Sequence, residues 1–298
     1  MITIRDKHFS IRQICQSGQC FRLEPLMGAD KQEEGLKEQE ERYGLTAFGK
    51  YLTIRQCGEE ISLSCSQEEF DSIWKSYFDL EEDYDRIIAS IDPDDAYLLR
   101  AAEFGSGIRI LRQELWEMII SFIISQQNNI KRIRRCIDLL CRQFGEAARS
   151  DTGEIYYIFP TPEALAQAEI QELYDCNLGY RSKYVKQTAE TIYHKEVDLE
   201  RITAMSYTGA MAELQKLCGV GTKVANCICL FALHMTDAFP VDTHINKVLK
   251  EQYPEGFPFE KYSGYAGSLQ QYIFYYDLAG KPKTEKEAVA VKCSGMEE

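Results

Sequence analysis

The chain has 298 residues, of which 45% are hydrophobic and 27% charged, enough for a sizeable core and two or three domains or subdomains. No apolar run approaches the roughly 20 residues that span a bilayer, and the N-terminus lacks the apolar stretch of a signal peptide, so we expect a cytoplasmic protein. The 11 cysteines are scattered and odd in number, which favours reduced, packed thiols over a disulfide framework.

The net charge of −13 argues at first against a polyanionic partner, but the charges are unevenly distributed. Residues 1–100 carry 12 basic and 21 acidic side chains, whereas residues 101–250 carry 17 and 18. Two basic stretches lie in this near-neutral middle, "NNIKRIRR" and "GYRSKYVK", the second interleaved with tyrosines. Either stretch suits a nucleic-acid backbone, and either is equally consistent with a solvated helix face.

The first 65 residues are rich in β-forming residues and turns. Short strands are predicted in "FSIRQIC", "CFRLEPL", "YGLTAFG", "YLTIRQ" and "EISLSC". Between them, residues 28–42 are charged and nearly free of apolar side chains, which predicts a long loop or disordered insert. We therefore predict a small N-terminal antiparallel β domain, placed at residues 1–100.

From Glu68 onward, apolar residues recur at spacings of three and four, which indicates helix. "ELWEMIISFIISQQ" is apolar all round and predicts a central buried helix, while "FPTPEALAQ" and "NLGYRSKYVKQTAETIYH" begin with the signals of further helices. The predicted fold class is therefore α+β. An all-helical core over residues 101–285 follows the β domain, and residues 286–298 form a tail.

The stretch "AELQKLCGVGTKVANCICLFAL" predicts a helix, a tight hairpin and a second helix. The first helix stops at Gly219-Val220-Gly221 and the second begins at or near Thr222. Free amides at such a helix start attract phosphate, and the glycines permit a close backbone approach. Lys223 and Cys227 are four residues apart and share a face. On local spacing alone, Lys223 is a phosphate contact, a solvated first-turn charge, or a reactive amine at a pocket mouth.

The segment "AFPVDTHINKVL" lies some twenty residues further on. Pro240 predicts an extended entry, Asp242 an N-cap, and His244 a place in the first turn of the next helix. An aspartate beside a lysine is also what amine chemistry at a sugar carbon needs, because the carboxylate stabilises an oxocarbenium-like centre while the amine attacks. The capping and catalytic interpretations coexist.

Taken in order, four segments resemble the 8-oxoguanine DNA glycosylases of the helix-hairpin-helix superfamily. "LCGVGTKVANCICL" followed by "PVDTH" is similar to that family's hairpin, Gly-rich loop and aspartate. "SGQCFR" resembles its N-terminal Ser-Gly-Gln-x-Phe-Arg, "LGYRSKYV" its Gly-Tyr-Arg segment, and "YAGSLQQYIF" its C-terminal lesion-binding helix. The similarity runs from about residue 1 to residue 280 and implies a helix-hairpin-helix glycosylase core.

The resemblance implies a catalytic amine at Lys223 and a catalytic carboxylate at Asp242. The base-binding residues that it implies are Gly18, Cys227, Gln270 and Phe274. The carbonyl of Gly18 would accept the proton that oxidation adds at N7, which ordinary guanine lacks. Gln270 would read the Watson–Crick edge of the flipped base, and the remaining two would stack on its faces.

The DNA-contacting residues implied by the resemblance are Gln127, Asn128, Arg132, Tyr180, Arg181, Gly219, Gly221 and His244. Gln127, Arg132, Tyr180 and Arg181 fall where the family fills the vacated stack and holds the orphaned cytosine, and His244 matches a phosphate contact. Three main-chain carbonyls of the hairpin are the implied ligands of a monovalent cation: Gln215, Leu217 and Val220.

The sequence departs from the family pattern at a few places. Cys218 stands where proline is usual, Asn226 where aspartate is common, and Gln127 where the family has asparagine. Related glycosylases carry an iron–sulfur cluster in a C-terminal cysteine array, but only Cys293 follows Cys229 here, so we expect no cluster and no required cofactor.

The resemblance implies a bifunctional DNA glycosylase and β-lyase that removes 8-oxoguanine opposite cytosine through a Schiff base on Lys223. One alternative is an alkylpurine glycosylase of similar fold, which uses the aspartate without a lysine nucleophile. The other is a non-catalytic helix-hairpin-helix module that only holds DNA backbone. The expected partner is double-stranded DNA containing oxidised guanine. We expect a monomer with no membrane partner, associated with the nucleoid if the protein is bacterial.

Overall fold

The computed structural model describes residues 1–26, 40–151 and 153–280. Residues 28–39 of the predicted loop and the predicted tail lie outside these ranges. The strands are β1 (Ile2–Arg5), β2 (Leu23–Pro25), β3 (Glu41–Ala47), β4 (Lys50–Cys57), β5 (Glu60–Leu63), β6 (Ala147–Arg149) and β7 (Ile155–Tyr157). Residues 41 and 42, predicted to end the loop, instead begin β3.

The helices alternate with the strands near the N-terminus and then fill the rest of the described chain. They are α1 (Ile11–Gln16), α2 (Gln67–Glu69), α3 (Lys75–Tyr77), α4 (Tyr84–Ala89), α5 (Ala96–Phe104), α6 (Leu115–Ser125), α7 (Ile130–Phe144), α8 (Pro162–Gln167), α9 (Ile170–Asp175), α10 (Arg181–Tyr193), α11 (Leu199–Thr203), α12 (Tyr207–Leu214), α13 (Thr222–Phe231), α14 (Thr243–Gln252) and α15 (Ala266–Tyr275). π-helical turns at Phe70–Trp74 and Tyr276–Gly280 extend α2 and α15.

Five antiparallel strands form the N-terminal sheet, in the order β1-β5-β4-β3-β2. The β3–β4 hairpin turns at Phe48 and Gly49. Both residues have positive φ, as is required by the two-residue turn whose twist matches that of the flanking strands. Alternate side chains of β4, such as Leu52 and Ile54, are fully buried against α1 and the helical segment 67–78. The predicted β domain is therefore present, as an antiparallel sheet closed by helices on one face.

The strand predicted in "FSIRQIC" is wrong, because these residues form α1. Ser10 caps this helix by accepting a hydrogen bond from the Gln13 amide at 3.3 Å. Its apolar side chains Ile11, Ile14 and Cys15 are buried, a spacing that fits a helix face resting on the sheet. A strand that was not predicted, β1, pairs with β5 at the edge of the sheet.

Helices dominate the remainder, as predicted, around the buried helix α6. A small two-stranded sheet, β6 with β7, interrupts the helical part, so that part is not wholly helical. Helices α12 and α13 form the predicted helix-hairpin-helix, with α13 beginning at Thr222. In the described residues, no helix is both long and apolar enough to cross a membrane.

The packing crosses the predicted domain boundary at residue 100. Helices α4 and α5 share a buried cluster with α14 and α15, through side chains such as Leu98, Ile245 and Tyr272. The sheet has its own cluster, whose described members run from Phe9 to Leu111. The segment that follows the sheet in sequence thus supports the C-terminal helices. The end of α1 meets the end of α15, where the Tyr275 hydroxyl lies 3.1 Å from Oε1 of Gln16.

Candidate active site

A small cavity of about 50 Å³ lies where the N-terminal turn after α1 meets the starts of α13 and α14 and one face of α15. The residues that line it are Ser17, Gly18, Phe122, Lys223, Cys227, Phe231, Pro240, Asp242, Gln270, Gln271 and Phe274. All the residues predicted to be catalytic or base-binding are among them. Side chains separated by more than two hundred residues in sequence therefore meet at one place.

Lys223 lies in the first turn of α13, at the mouth of the cavity. Its Nζ lies 5.5 Å from the centroid of the Phe122 ring, and no carboxylate in the described part of the chain lies within 4 Å of it. One turn later, burial raises the pKa of the Cys227 thiol, which the positive charge of Lys223 opposes and the negative charge of Asp242 reinforces. The amine, the thiol and the carboxylate are therefore within electrostatic reach of one another, without an ion pair that would hold the amine away from the cavity.

Asp242 is the N-cap of α14, as predicted. Its Oδ1 accepts a hydrogen bond from the Ile245 amide at 2.9 Å. A carboxylate has two oxygens, so capping through Oδ1 leaves the second oxygen of this cavity-lining residue for another partner. His244, in the first turn of the same helix, lies 2.9 Å from Asp277 through Nδ1 and edge-on to Phe274, and its side chain is 44% exposed. The capping and catalytic interpretations of Asp242 thus remain compatible.

Gly18 sits in the turn after α1 with φ +76°, a conformation that favours glycine. A Cβ added at Gly18 would lie 3.3 Å from Cε1 of Phe274, so the phenyl ring packs directly against this turn. Its neighbour Gln19 is fully buried and pins the turn, because its side-chain amide donates to the Arg109 carbonyl and accepts from the Leu111 amide, both at 2.9 Å.

Arg22 anchors the same segment from the other side. Its guanidinium pairs with Glu117 of α6, with 3.2 Å between Nη1 and Oε2, and also donates to the Tyr157 carbonyl of β7. Burial raises the pKa of Glu117 to about 7, an effect that the charge of Arg22 opposes. The residues of "SGQCFR" therefore have structural roles, since Gln19 and Arg22 hold the segment that carries Gly18 beside the cavity.

Gln270 and Phe274 lie one turn apart on α15. The Gln270 side chain is 3% exposed and its Nε2 donates to the Pro240 carbonyl at 2.9 Å. The cavity has room for only a few waters at the ~10–15 Å³ each one needs. A purine is larger than this space, so the cavity must widen to admit one. The Phe274 ring, half-buried and packed on Gly18, forms one of its walls.

Arg181, at the start of α10, is 3% exposed. Its guanidinium donates to the main-chain carbonyls of Gln126, Gln127 and Leu178, with Nε to Gln126 at 2.9 Å and Nη2 to Gln127 at 3.1 Å. Tyr180, 45% exposed, stacks over this guanidinium at 4.5 Å. Four of the five N–H groups of Arg181 are thereby used, so at most one is free for a base on the opposite strand.

Other residues predicted to contact DNA lie in the loop after α6, at the start of α7 and in the hairpin. Gln127 is exposed with φ +47°, Asn128 caps the end of α6 by donating to the Ile124 carbonyl at 3.1 Å, and Arg132 is exposed on α7. Gly221 is the N-cap of α13, with open space where a side chain would lie. Gly219 has φ +82°, and a Cβ there would come within 2.8 Å of the Tyr184 ring.

Sequence reasoning missed Gln126, which joins these elements. Its Nε2 donates to the Gly219 carbonyl at 2.9 Å, and its own carbonyl accepts from Arg181. The loop after α6, the hairpin and the start of α10 are therefore tied together at one residue. A polar residue directly after an apolar helix was the signal in the sequence, but nothing local indicates its partners.

Gln215, Leu217 and Val220, whose main-chain carbonyls are predicted to hold a cation, lie at the hairpin between α12 and α13. The Leu217 carbonyl accepts the Val220 amide at 3.1 Å and, with two lone pairs, keeps one for a further ligand. In the described ranges, no group of three or more His, Cys, Asp or Glu side chains is arranged to hold a metal ion. Main-chain oxygen donors suit a hard cation, so the monovalent site is compatible with these residues and stays a prediction. Cys293 lies outside the described residues.

Comparison with known proteins agrees with the site. Residues 1–119 match the family described as 8-oxoguanine DNA glycosylase, N-terminal domain, and residues 120–255 match the HhH-GPD superfamily base excision DNA repair proteins. The chain is 29% identical over 273 residues to a Saccharomyces cerevisiae N-glycosylase/DNA lyase, covering 85% of this chain and 70% of the yeast protein.

Two solved structures from Clostridium acetobutylicum are similar over almost the whole chain. The apo-form of its 8-oxoguanine glycosylase/lyase is 35% identical, with a TM-score of 0.81 over 91% of this chain and 94% of that one. The same enzyme in complex with double-stranded DNA containing cytosine opposite to 8-oxoguanine gives 33% identity and a TM-score of 0.83, over 94% and 98%.

The fold and the cavity with its lysine and aspartate define a DNA glycosylase of the helix-hairpin-helix class with lyase activity. Within that class, the chain belongs to the 8-oxoguanine DNA glycosylase family.

Proposed function

We propose that this protein excises 8-oxoguanine opposite cytosine, with Lys223 as nucleophile and Asp242 as the stabilising carboxylate. The observation that carries this assignment is the meeting of Lys223, Asp242, Gly18 and Gln270 around one cavity. A base must leave the duplex before its glycosidic bond can be reached, and this cavity is where the flipped base would be held.

The chemistry follows from the placement of the amine. Nζ of Lys223 attacks C1′, the C1′–N9 bond breaks, and the base leaves with the bonding electron pair and takes up a proton. Asp242 stabilises the positive charge that develops at the sugar. Loss of a proton from the attacking nitrogen and opening of the sugar ring give a Schiff base. Removal of a C2′ proton then expels the 3′ phosphate by β-elimination.

Lesion choice is proposed to rest on Gly18. Guanine and 8-oxoguanine differ at N7 by one proton, so the Gly18 carbonyl is satisfied by the lesion and faces a lone pair in the normal base. Cys227, 3% exposed, and Phe274 are proposed to stack on the two faces of the base.

The opposite strand is proposed to be read mainly by Arg132, which is exposed, rather than equally by Arg132 and Arg181. Three carbonyls hold the Arg181 guanidinium and leave it at most one donor for the two acceptors of cytosine, O2 and N3. Gln127 and Tyr180 are proposed to fill the vacated stack. Asn128 is proposed to support the same loop.

Gly219, Gly221 and His244 are proposed to bind phosphate. The start of α13 offers free amides at the hairpin, and the half-exposed His244 ring is oriented by Asp277. The monomeric state and a cytoplasmic location, nucleoid-associated if the protein is bacterial, stay predictions.

Borohydride trapping on duplex DNA tests the amine chemistry directly, since reduction captures only a covalent imine. Lys223→Gln should abolish both trapping and release of 8-oxoguanine while leaving duplex binding within about threefold of the native value, because an amide cannot attack C1′. Trapping retained by Lys223→Gln would remove Lys223 from the mechanism and point to another amine.

A further inference from the structure

Two adjacent glutamines of α15 line the active-site cavity, and both are 3% exposed. Gln270 is the proposed reader of the base edge. Gln271 has no role in the reaction as described so far. Its Nε2 donates to Oε1 of Gln270 at 3.0 Å.

The amide orientation of both side chains follows from one main-chain group. The Pro240 carbonyl can only accept, so the Gln270 atom that lies 2.9 Å from it must be Nε2. Oε1 of Gln270 then lies on the other side of its amide, where it accepts from Gln271. The Pro240 carbonyl thereby fixes the amide orientation of Gln270, and Gln270 in turn fixes that of Gln271.

The contact to Gln270 is the only hydrogen bond that the Gln271 side chain makes within the described part of the chain. Its Oε1 is buried and lacks a partner there, an arrangement that costs free energy. A glutamine that served only to stabilise the core would be expected to satisfy both ends of its amide or to be replaced by an apolar residue. The Gln271 atom that does have a partner, Nε2, is the atom that bonds to Gln270, the proposed reader of the base edge.

We propose that Gln271 is a positioning residue that sets lesion specificity by fixing the Gln270 amide between two anchors, with Oε1 presented as an acceptor. This inference rests on the proposed role of the cavity in holding the flipped base. An acceptor at this position suits a guanine-type edge, which offers N1–H and a 2-amino group as donors. It opposes an adenine-type edge, whose N1 is itself an acceptor.

Two oxidised purines isolate this effect. 8-Oxoguanine and 8-oxoadenine both carry a proton at N7, so the proposed contact with Gly18 is the same for both. They differ at the Watson–Crick edge that Gln270 is proposed to read. Single-turnover excision of each lesion, placed opposite cytosine in the same duplex, measures the discrimination due to that edge.

Gln271→Met keeps the length of the side chain and removes its donor. Its rate constant for 8-oxoguanine should fall by roughly ten- to a hundredfold while that for 8-oxoadenine changes by less than about threefold, so the discrimination ratio shrinks. Tyr272→Phe is the matched control, because it deletes a buried hydroxyl without a partner in the described chain, one residue further along α15 and outside the cavity wall. For Tyr272→Phe, the ratio of the rate constant on 8-oxoguanine to that on 8-oxoadenine should equal the ratio of the native protein.

Gln271→Glu provides a second variant of nearly the same volume. Only its protonated form can donate to Gln270, so its rate on 8-oxoguanine relative to the native protein should recover as the pH is lowered. Gln271→Met should show no such recovery. If both variants keep the native ratio between the two lesions at every pH, Gln271 has no role in specificity, even if thermal stability falls.

Borohydride trapping on a duplex with a preformed abasic site separates this inference from the proposed function. No base is read there, so native protein, Gln271→Met and Gln271→Glu should trap equally. Absence of trapping by the native protein would contradict the proposed function itself. Equal trapping together with an unchanged lesion ratio would overturn only the role of Gln271.

Discussion

Replacement of Arg181 by alanine tests whether this buried arginine supports the DNA-facing loop or reads the opposite base. The variant removes a guanidinium that donates to the carbonyls of Gln126, Gln127 and Leu178. It also removes the cation under the Tyr180 ring. Both losses fall at the junction of α10 with the loop after α6.

The expected loss of stability can be worked from these contacts. A hydrogen bond from a charged donor contributes about 1.5–3 kcal/mol, so the loss of only two of the four bonds that Arg181 makes already costs about 3 kcal/mol or more. At roughly 2–4 °C per kcal/mol for a chain of this size class, the melting temperature should fall by about 6–12 °C. Excision opposite all four bases should slow, because the loop that carries Gln127 loses its support.

The preference for cytosine should shrink by about tenfold, since the one free N–H corresponds to a single hydrogen bond, and the lower value of about 1.5 kcal/mol for a charged donor is roughly a factor of ten. Differential scanning fluorimetry and single-turnover excision of 8-oxoguanine opposite each base measure the two effects. Arg135→Ala is the control: it removes an exposed charge from α7, so its stability should change by less than ~0.5 kcal/mol and its melting temperature by less than about 1–2 °C.

An unchanged melting temperature combined with a collapse of the cytosine preference would refute the supporting role. Arg181 would then have to leave its carbonyls and donate to the orphaned base in the complex. A weakening of binding to all duplexes by the same factor, with a flatter salt dependence and no thermal effect, would instead indicate a phosphate contact.

Three further outcomes are expected. Asp242→Asn should keep the cap on Ile245 and the melting temperature but slow glycosidic cleavage at least about tenfold, as measured by single-turnover kinetics; parallel losses of stability and rate would leave Asp242 with a capping role only. Gly18→Ala should cost about 1–2 kcal/mol for its positive φ and should reduce excision more than stability, because the new Cβ meets Phe274 at 3.3 Å; native excision at a lowered melting temperature would contradict this. Because burial raises the pKa of Glu117 from 4.5 to about 7, the folded state binds this proton more tightly, so the protein should lose up to about 3 kcal/mol of unfolding free energy as the pH rises from 4.5 to 7. Urea titrations across that range should show a smaller pH dependence for Glu117→Gln, and identical slopes for the two proteins would contradict the assignment.

Local signals determined much of this protein from sequence alone. The hairpin at Gly219-Val220-Gly221, the start of α13 at Thr222 and the cap at Asp242 were all predictable, because glycine turns and capping side chains act within a few residues of where they stand. The motif order was also sufficient to indicate the family.

The short segment "FSIRQIC" was predicted as a strand because its few apolar residues fit both the two-residue period of a strand and the 3.6-residue period of a helix. Only the packing of Ile11, Ile14 and Cys15 on the sheet selects the helix α1. The strand β1 likewise owes its existence to pairing with β5, some sixty residues away, which no local pattern records.

The roles of Gln126, Arg181 and Gln271 were decided by tertiary structure. Gln126 bonds to the Gly219 carbonyl of the hairpin, and Arg181 bonds to the loop after α6. Gln271 bonds to the Gln270 amide, whose orientation is set by the Pro240 carbonyl. A sequence specifies which donors and acceptors exist, but hydrogen bonds are directional and short, so only the folded chain determines which of them meet.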